Sequence, residues 1–284
     1  MMSNRHQSIR LTIDVENLSG SITDPNFANS LEPLLEAIEE TNAKATFFVV
    51  GSLASVWKKK IQQLSNNGHE IALHGHTHEF LPLLGPKKFA EELLDGKNAL
   101  EDAIGKEVSG FRAPYFSLTN ESLWAPDILH EAGFKFSSSV LPAWNPQAGF
   151  PQAPRKPFLW KCGLVEFPVP TFGIGFFRVP LLGGAYLRLS PQGVFNMARY
   201  FGSRRDGEWA YCHPYDFDVN AKFEVVRETS WAFSKLLFAR RNLMLPRVQA
   251  LTMIGTSNSF ESQTANQVFL NSLKVFPKDQ RGIA

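Results

Sequence analysis

With 284 residues, of which 20% are charged and 44% hydrophobic, and a formal net charge of +2, the chain has a globular composition large enough for one sizeable core. So even a balance excludes a nucleic-acid binder driven by bulk charge, and the basic clusters at 58–60, 204–205 and 240–241 read as solvated helix faces. Cys162 and Cys212 are the two cysteines, too few for a disulfide framework.

In chain order, SIRLTI at 8–13 is a β-branched run that stops at Asp14-Val15-Glu16, a strand with acids at its end. Leu31, Leu34, Leu35 and Ile38 at helical spacing behind Ser30 predict a helix over 30–42. KATFFVVG gives a second strand, 45–50, and residues 53–64 a helix closed by Asn66-Asn67-Gly68. Residues 70–73 form a third strand. GPKKFAEELLDGKNALEDAIG reads as a long helix, and 108–112 as a fourth strand closed by Pro114. A helix follows Thr119-Asn120 and ends at Gly133. Four strand–helix repeats predict a parallel sheet with right-handed crossovers, whose strand carboxyl ends share a ligand-binding face. Asp14, Glu16, His74, His78 and Arg112 all fall at such ends.

From 140 to 190 periodicity weakens, leaving strands near 134–139 and 163–169. The segment TFGIGFFRVPLLGGAYL at 171–187 is apolar, but Arg178, Pro180 and its glycines spoil it as a spanning helix. It reads either as an irregular core lining or as an apolar lip. A helix over 191–200, a strand over 209–213 ending at His213, and a helical stretch over 221–241 complete the pattern. The tail is expected to be loosely held. The opening MMSNRHQSIR lacks the apolar core of a secretory leader, so a cytoplasmic location is expected.

The densest chemistry lies in HEIALHGHTHEF at 69–80. His74 and His78, four apart, can present two rings to one cation, with Gly75 allowing a sharp turn. Alone, that pair is more simply a solvated turn. His76 between them should point elsewhere.

Taken together, TIDVE (12–16), ATFFVVG (45–51), GHEIALHGHTH (68–78), GFRAPYF (110–116), VEFPV (165–169) and CHPYDFD (212–218) resemble the NodB-homology polysaccharide deacetylases, and the branch found in surface-polysaccharide biosynthesis most of all. The resemblance implies an α/β fold, a distorted, incompletely closed (β/α)7-type barrel. It implies a catalytic domain over 8–245, leaving 246–284 as a C-terminal extension. By similarity Glu16, His74 and His78 are ligands of a divalent metal, zinc first, with iron, cobalt or nickel also suited to the donor set. The usual adjacent aspartate pair is replaced by Asp14-Val15-Glu16, so Glu16 takes the ligand role and Asp14 that of base.

The resemblance further implies Arg112 as the partner of Asp14, the Tyr115 backbone N–H as an oxyanion donor, and His213 as the acid for the leaving amine. His76, Glu166, Phe116 and Asp216 stand around these, with Glu166 or Asp216 tuning His213. The implied substrate is an acetylated sugar or glycoconjugate, nucleotide-linked or lipid-linked. The lipid-linked case brings peripheral contact with the inner membrane, and no nucleic acid is involved. A cyclic-amide or ureide hydrolase and a non-catalytic carbohydrate binder are the alternatives.

Overall fold

Short apolar runs that end at a turn-forming or acidic residue become strands, and amphipathic stretches between them become helices, in a computed structural model that describes residues 9–16, 25–175, 177–203, 208–226, 229–253 and 258–276. Internal packing divides the chain into two units, residues 1–47 with 180–257, and 48–179 with 258–284. The fold is α/β with a mainly parallel sheet.

In the first unit, strand β1 (Arg10–Val15) is buried along its whole length. It pairs in parallel with β8 (Trp209–Cys212), Arg10 opposite Trp209 and Ile13 opposite Cys212. Helix α1 (Pro25–Glu40) buries Leu31, Leu34 and Ile38, as its helical spacing requires. Helices α5 (Gly184–Leu189), α6 (Gln192–Gly202), α7 (Trp231–Phe238) and α8 (Met244–Thr252) complete this unit. The chain enters α5 through Gly183, where a β-carbon would come 1.7 Å from Tyr211 Cε1. Only glycine fits there.

Strand β2 (Ala45–Val49) has its first three residues in the first unit and its last two in the second. The second unit continues with α2 (Lys58–Asn66), β3 (Glu70–Leu73), α3 (Leu81–Ile104), β4 (Gly110–Phe111), α4 (Ala125–Glu131), β5 (Phe136–Ser137), β6 (Phe158–Trp160) and β7 (Val165–Glu166). It ends in α9 (Phe260–Thr264), α10 (Gln267–Ser272) and β9 (Lys274–Phe276). Its strands run in the order β2-β3-β4-β5-β7-β6-β9, with β6 antiparallel to β7 and the rest of the described pairs parallel. Phe136, Phe167 and Phe260 are buried together, with ring centroids 4.5–5.9 Å apart.

Several boundaries differ from those read in the sequence. Among the described residues of the stretch expected to be helical over 221–241, the helix is Trp231–Phe238, and a 3-10 turn, Arg241–Leu243, begins at the end of the stretch. The long helix extends back to Leu81 across a break at Gly85, where φ is 68°. Part of the expected tail is built in: β9 adds a parallel strand to β6, and the α9 N-terminus is held by Glu70, whose carboxylate accepts the Phe260 and Glu261 N–H groups. Ser8, the first residue of the expected first strand, and the basic pair 204–205 lie outside the described residues, and β1 begins two residues later than expected, at Arg10. Among the described residues no helix is long and apolar enough to cross a membrane.

Candidate active site

In the first unit the site grows from the carboxyl ends of β1 and β8. Asp14 is buried at the penultimate position of β1, and Glu16 follows just outside it, half-buried. At the end of β8 the chain leaves His213 and enters a 3-10 turn, Pro214–Phe217, that is closed by Asp216. The Asp216 carboxylate accepts the His213 backbone N–H at 3.0 Å and meets the ring Nδ1 at 2.9 Å. Its other oxygen accepts from Arg188 Nε at 3.0 Å, with both side chains buried. His213 Nε2 is left facing Glu16, 3.7 Å from its carboxylate. Tyr215 stacks on the His213 ring, centroids 4.6 Å apart, and its hydroxyl lies 3.5 Å from Glu16 Oε1.

These contacts set the protonation states. Burial alone would push the His213 pKa down, but the hydrogen bond and charge of Asp216, then Glu16 and Asp14, outweigh it and hold the imidazole at about 9. At neutral pH the ring is therefore charged, with its Nδ1–H donated to Asp216 and its Nε2–H on the side facing Glu16. For Asp216 burial works upward, and His213 followed by Arg188 overcomes it, so its carboxyl sits below the ordinary range. Burial and then the Glu16 charge raise Tyr215 well above its usual value, keeping the phenol protonated.

Arg188 is the functional residue that sequence reading passed over. Its signal was a lone arginine inside an apolar run. Its guanidinium also binds the Leu236, Leu237 and Ala239 carbonyls at the end of α7. Arg188→Met leaves Asp216 and those carbonyls buried without it, and should cost about 3–5 kcal/mol in denaturant unfolding. The sign of the pH effect follows from the lowered Asp216 pKa. Its stabilisation is complete above an unfolded value of about 4 and is lost as pH falls through the folded value. Without Arg188 that folded value rises, so acid unfolding followed by circular dichroism should begin at higher pH.

In the second unit β3 delivers the histidine-rich turn. His74 is buried at its end, and its Nδ1 lies 3.0 Å from the Arg112 carbonyl. With Nδ1 as the donor to that oxygen, Nε2 is the atom left to act as a ligand. The His78 ring stands edge-on to it, centroids 5.1 Å apart, at a backbone φ of 62°. Tyr115 lies 4.8 Å from the His78 ring and, like Phe116, has positive φ, at 58° and 53°. Three non-glycine residues in the left-handed region within one loop cluster mark a backbone held in place by its surroundings.

The turn is clamped from below. Gly51 N–H donates to the Gly75 carbonyl and Ser52 N–H to that of His76, at 2.8 and 3.1 Å. His76 turns to this side, where a β-carbon on Gly51 would come 2.8 Å from its Nδ1 and 2.7 Å from Gly96 Cα. Gly51→Ala must displace backbone. It should cost about 1–3 kcal/mol, read by thermal unfolding, and shift the His74 and His78 imidazole resonances.

Arg112 is fully buried. It donates to the Ser138 carbonyl and hydroxyl at 3.2 and 3.0 Å and lies 3.8 Å from the Phe48 ring centroid. Glu166 is buried with one oxygen accepting the Ser139 and Val140 N–H groups, at 2.6 and 3.0 Å, and the other the Trp160 indole at 3.3 Å. Burial raises its pKa, against those hydrogen bonds. Of the two acids considered for tuning His213, Asp216 is the one hydrogen-bonded to it, and Glu166 is engaged in holding the β5–β7 backbone.

Comparison with known proteins follows the same lines. Residues 3–136 match the polysaccharide deacetylase family, and residues 138–269 match a domain of unknown function (DUF3473). The peptidoglycan-N-acetylglucosamine deacetylase of Bacillus cereus is 28% identical over 102 residues, covering 36% of this chain and 37% of that protein. The chitooligosaccharide deacetylase of Sinorhizobium fredii is 31% identical over 97 residues, covering 34% and 42%. The chain thus spans less than half the length of these relatives. A crystal structure from Mycobacterium smegmatis, assigned as a polysaccharide deacetylase, superimposes with a TM-score of 0.59 at 21% identity, covering 100% of this chain and 97% of that one. That likeness establishes the shared fold.

Proposed function

We propose that this chain, which carries a polysaccharide deacetylase domain over residues 3–136, is a metal-dependent hydrolase that removes an N-acetyl group from a saccharide used in cell-surface glycan assembly. The observation that carries the reading is the imidazole pair at the end of β3, with His74 fixed through its Nδ1 and the His78 ring beside it. Two oriented neutral imidazoles and a carboxylate are the donor set of a catalytic zinc site. Glu16, His74 and His78 are the side chains suited to hold such an ion, and iron, cobalt or nickel would accept the same donors. A divalent ion bound there supplies Lewis-acid polarisation of the acyl oxygen and lowers the pKa of a water.

The remaining roles fall to the chain itself. Asp14 takes the proton of the attacking water, with Arg112 as its partner by the resemblance. The Tyr115 N–H, presented by its left-handed backbone, donates to the developing oxyanion. His213, charged at neutral pH through Asp216, gives its Nε2 proton to the departing amine as the C–N bond breaks. Phe116 and the exposed Tyr115 ring offer apolar surface to a sugar face. Acetate release from N-acetylhexosamine oligomers, run beside ring opening of cyclic amides and ureides, tests the assignment. Acetate release alone is expected, and ring opening alone would replace the proposal with the other amidohydrolase class.

A further inference from the structure

An ordinary surface helix turns its apolar stripe inward, and α7 does the reverse. Its buried side chain is Ser234, whose hydroxyl accepts the Val226 N–H at 3.0 Å and meets Thr229 Oγ1 at 2.7 Å and the Ser230 carbonyl at 3.0 Å. Trp231, Phe233 and Leu236 face outward. The extended segment before it adds Val219, Phe223 and Val225, and these six side chains are 45–58% exposed. Scattered apolar residues on a surface are ordinary, but six within 18 positions around an inverted helix are not.

Charge around the patch is one-sided. Among the described residues of 219–241, three exposed basic side chains stand against one exposed acid, Glu224. Lys222, Lys235 and Arg240 are exposed, and Lys235 Nζ sits 4.0 Å from the Trp231 ring centroid. An outward apolar helix face, a tryptophan at its start and cations along its flank are the features of a helix that lies in the headgroup layer of a membrane.

We propose that α7 and residues 219–225 form a docking surface for an anionic lipid bilayer, so that the saccharide acted on is lipid-linked. The choice of lipid over a protein partner rests on charge complementarity between the exposed cations and anionic headgroups. The helix is also tied to the chemistry. The guanidinium that holds the α7 C-terminal carbonyls is that of Arg188, which pairs with Asp216 behind His213. Docking therefore fixes the ring that protonates the leaving amine relative to the lipid surface. The substrate assignment rests on the proposed deacetylase reading, whereas docking does not.

The test is flotation of the full chain with vesicles of phosphatidylcholine and phosphatidylglycerol, against vesicles of phosphatidylcholine alone. The chain should float with the first and much less with the second. Combined Trp231→Ser, Phe233→Ser and Leu236→Ser substitutions should weaken binding at least about tenfold, since all three would bury apolar surface in the lipid. Lys222→Glu with Lys235→Glu should abolish the preference for phosphatidylglycerol. Circular dichroism of the variants should match the parent, because every substituted side chain is exposed. Failure of the parent to float, or equal flotation of the triple-serine variant, would overturn the proposal. So would a dimer in solution that the serine substitutions convert to monomer, which would give the face to a second copy. Flotation needs no turnover, so a chain that floats but releases acetate neither from soluble N-acetylhexosamine oligomers nor from a lipid-linked N-acetylated saccharide leaves docking standing and removes the deacetylase reading.

Discussion

Exchange of His213 for alanine is expected to lower kcat by about 10²–10⁴-fold, the usual contribution of a positioned acid. KM should change little, because the proton reaches the leaving amine only as the C–N bond breaks. The fall should be much smaller with an aryl acetate such as 4-nitrophenyl acetate, whose phenolate leaves without a proton, a difference that a merely structural role would not produce. Asp216→Asn keeps the ring but removes the charge that holds its pKa at about 9. The basic limb of the pH–rate profile should therefore move to lower pH. An unmoved limb would assign that ionisation to another group.

Asp14→Asn is expected to leave the bound metal in place and cost about 10²–10⁴-fold in kcat, the contribution of a general base. Asparagine keeps the size of the buried side chain at the end of β1 but cannot take a proton from water. Metal content measured on the same sample separates this from loss of the site. Unchanged turnover would remove Asp14 from the mechanism, and loss of metal together with turnover would make it a ligand.

Much of this was legible in the chain because its signals are local. The Ile71-Ala72-Leu73 run, bounded by Gly68 and a histidine turn, fixes β3 at Glu70–Leu73. The β8 run likewise ends where His213 begins. What was hidden depends on tertiary placement. Nothing in VEFPV or HPYDFD says which acid meets His213, since that is decided by the 3-10 turn that folds Asp216 back and by the Ser139 and Val140 N–H groups that occupy Glu166. β6 and β9 are three-residue strands, too short for any alternation to register. Helix α5 hides behind Gly183-Gly184, which reads as loop, although Gly183 is there to admit the Tyr211 ring. The stretch 221–241 misleads because its apolar spacing suits a helix, while the residues that supply that spacing face outward.

Metal content and acetate release, measured together on the parent chain and on His74→Ala, bear most directly on the proposed chemistry. The parent should hold one divalent ion per chain and release acetate from an N-acetylated sugar. Chelation should stop the release and added zinc restore it, and His74→Ala should lose both ion and turnover. Undiminished acetate release from chelated, metal-free protein, or a His74→Ala variant that keeps both, would contradict it.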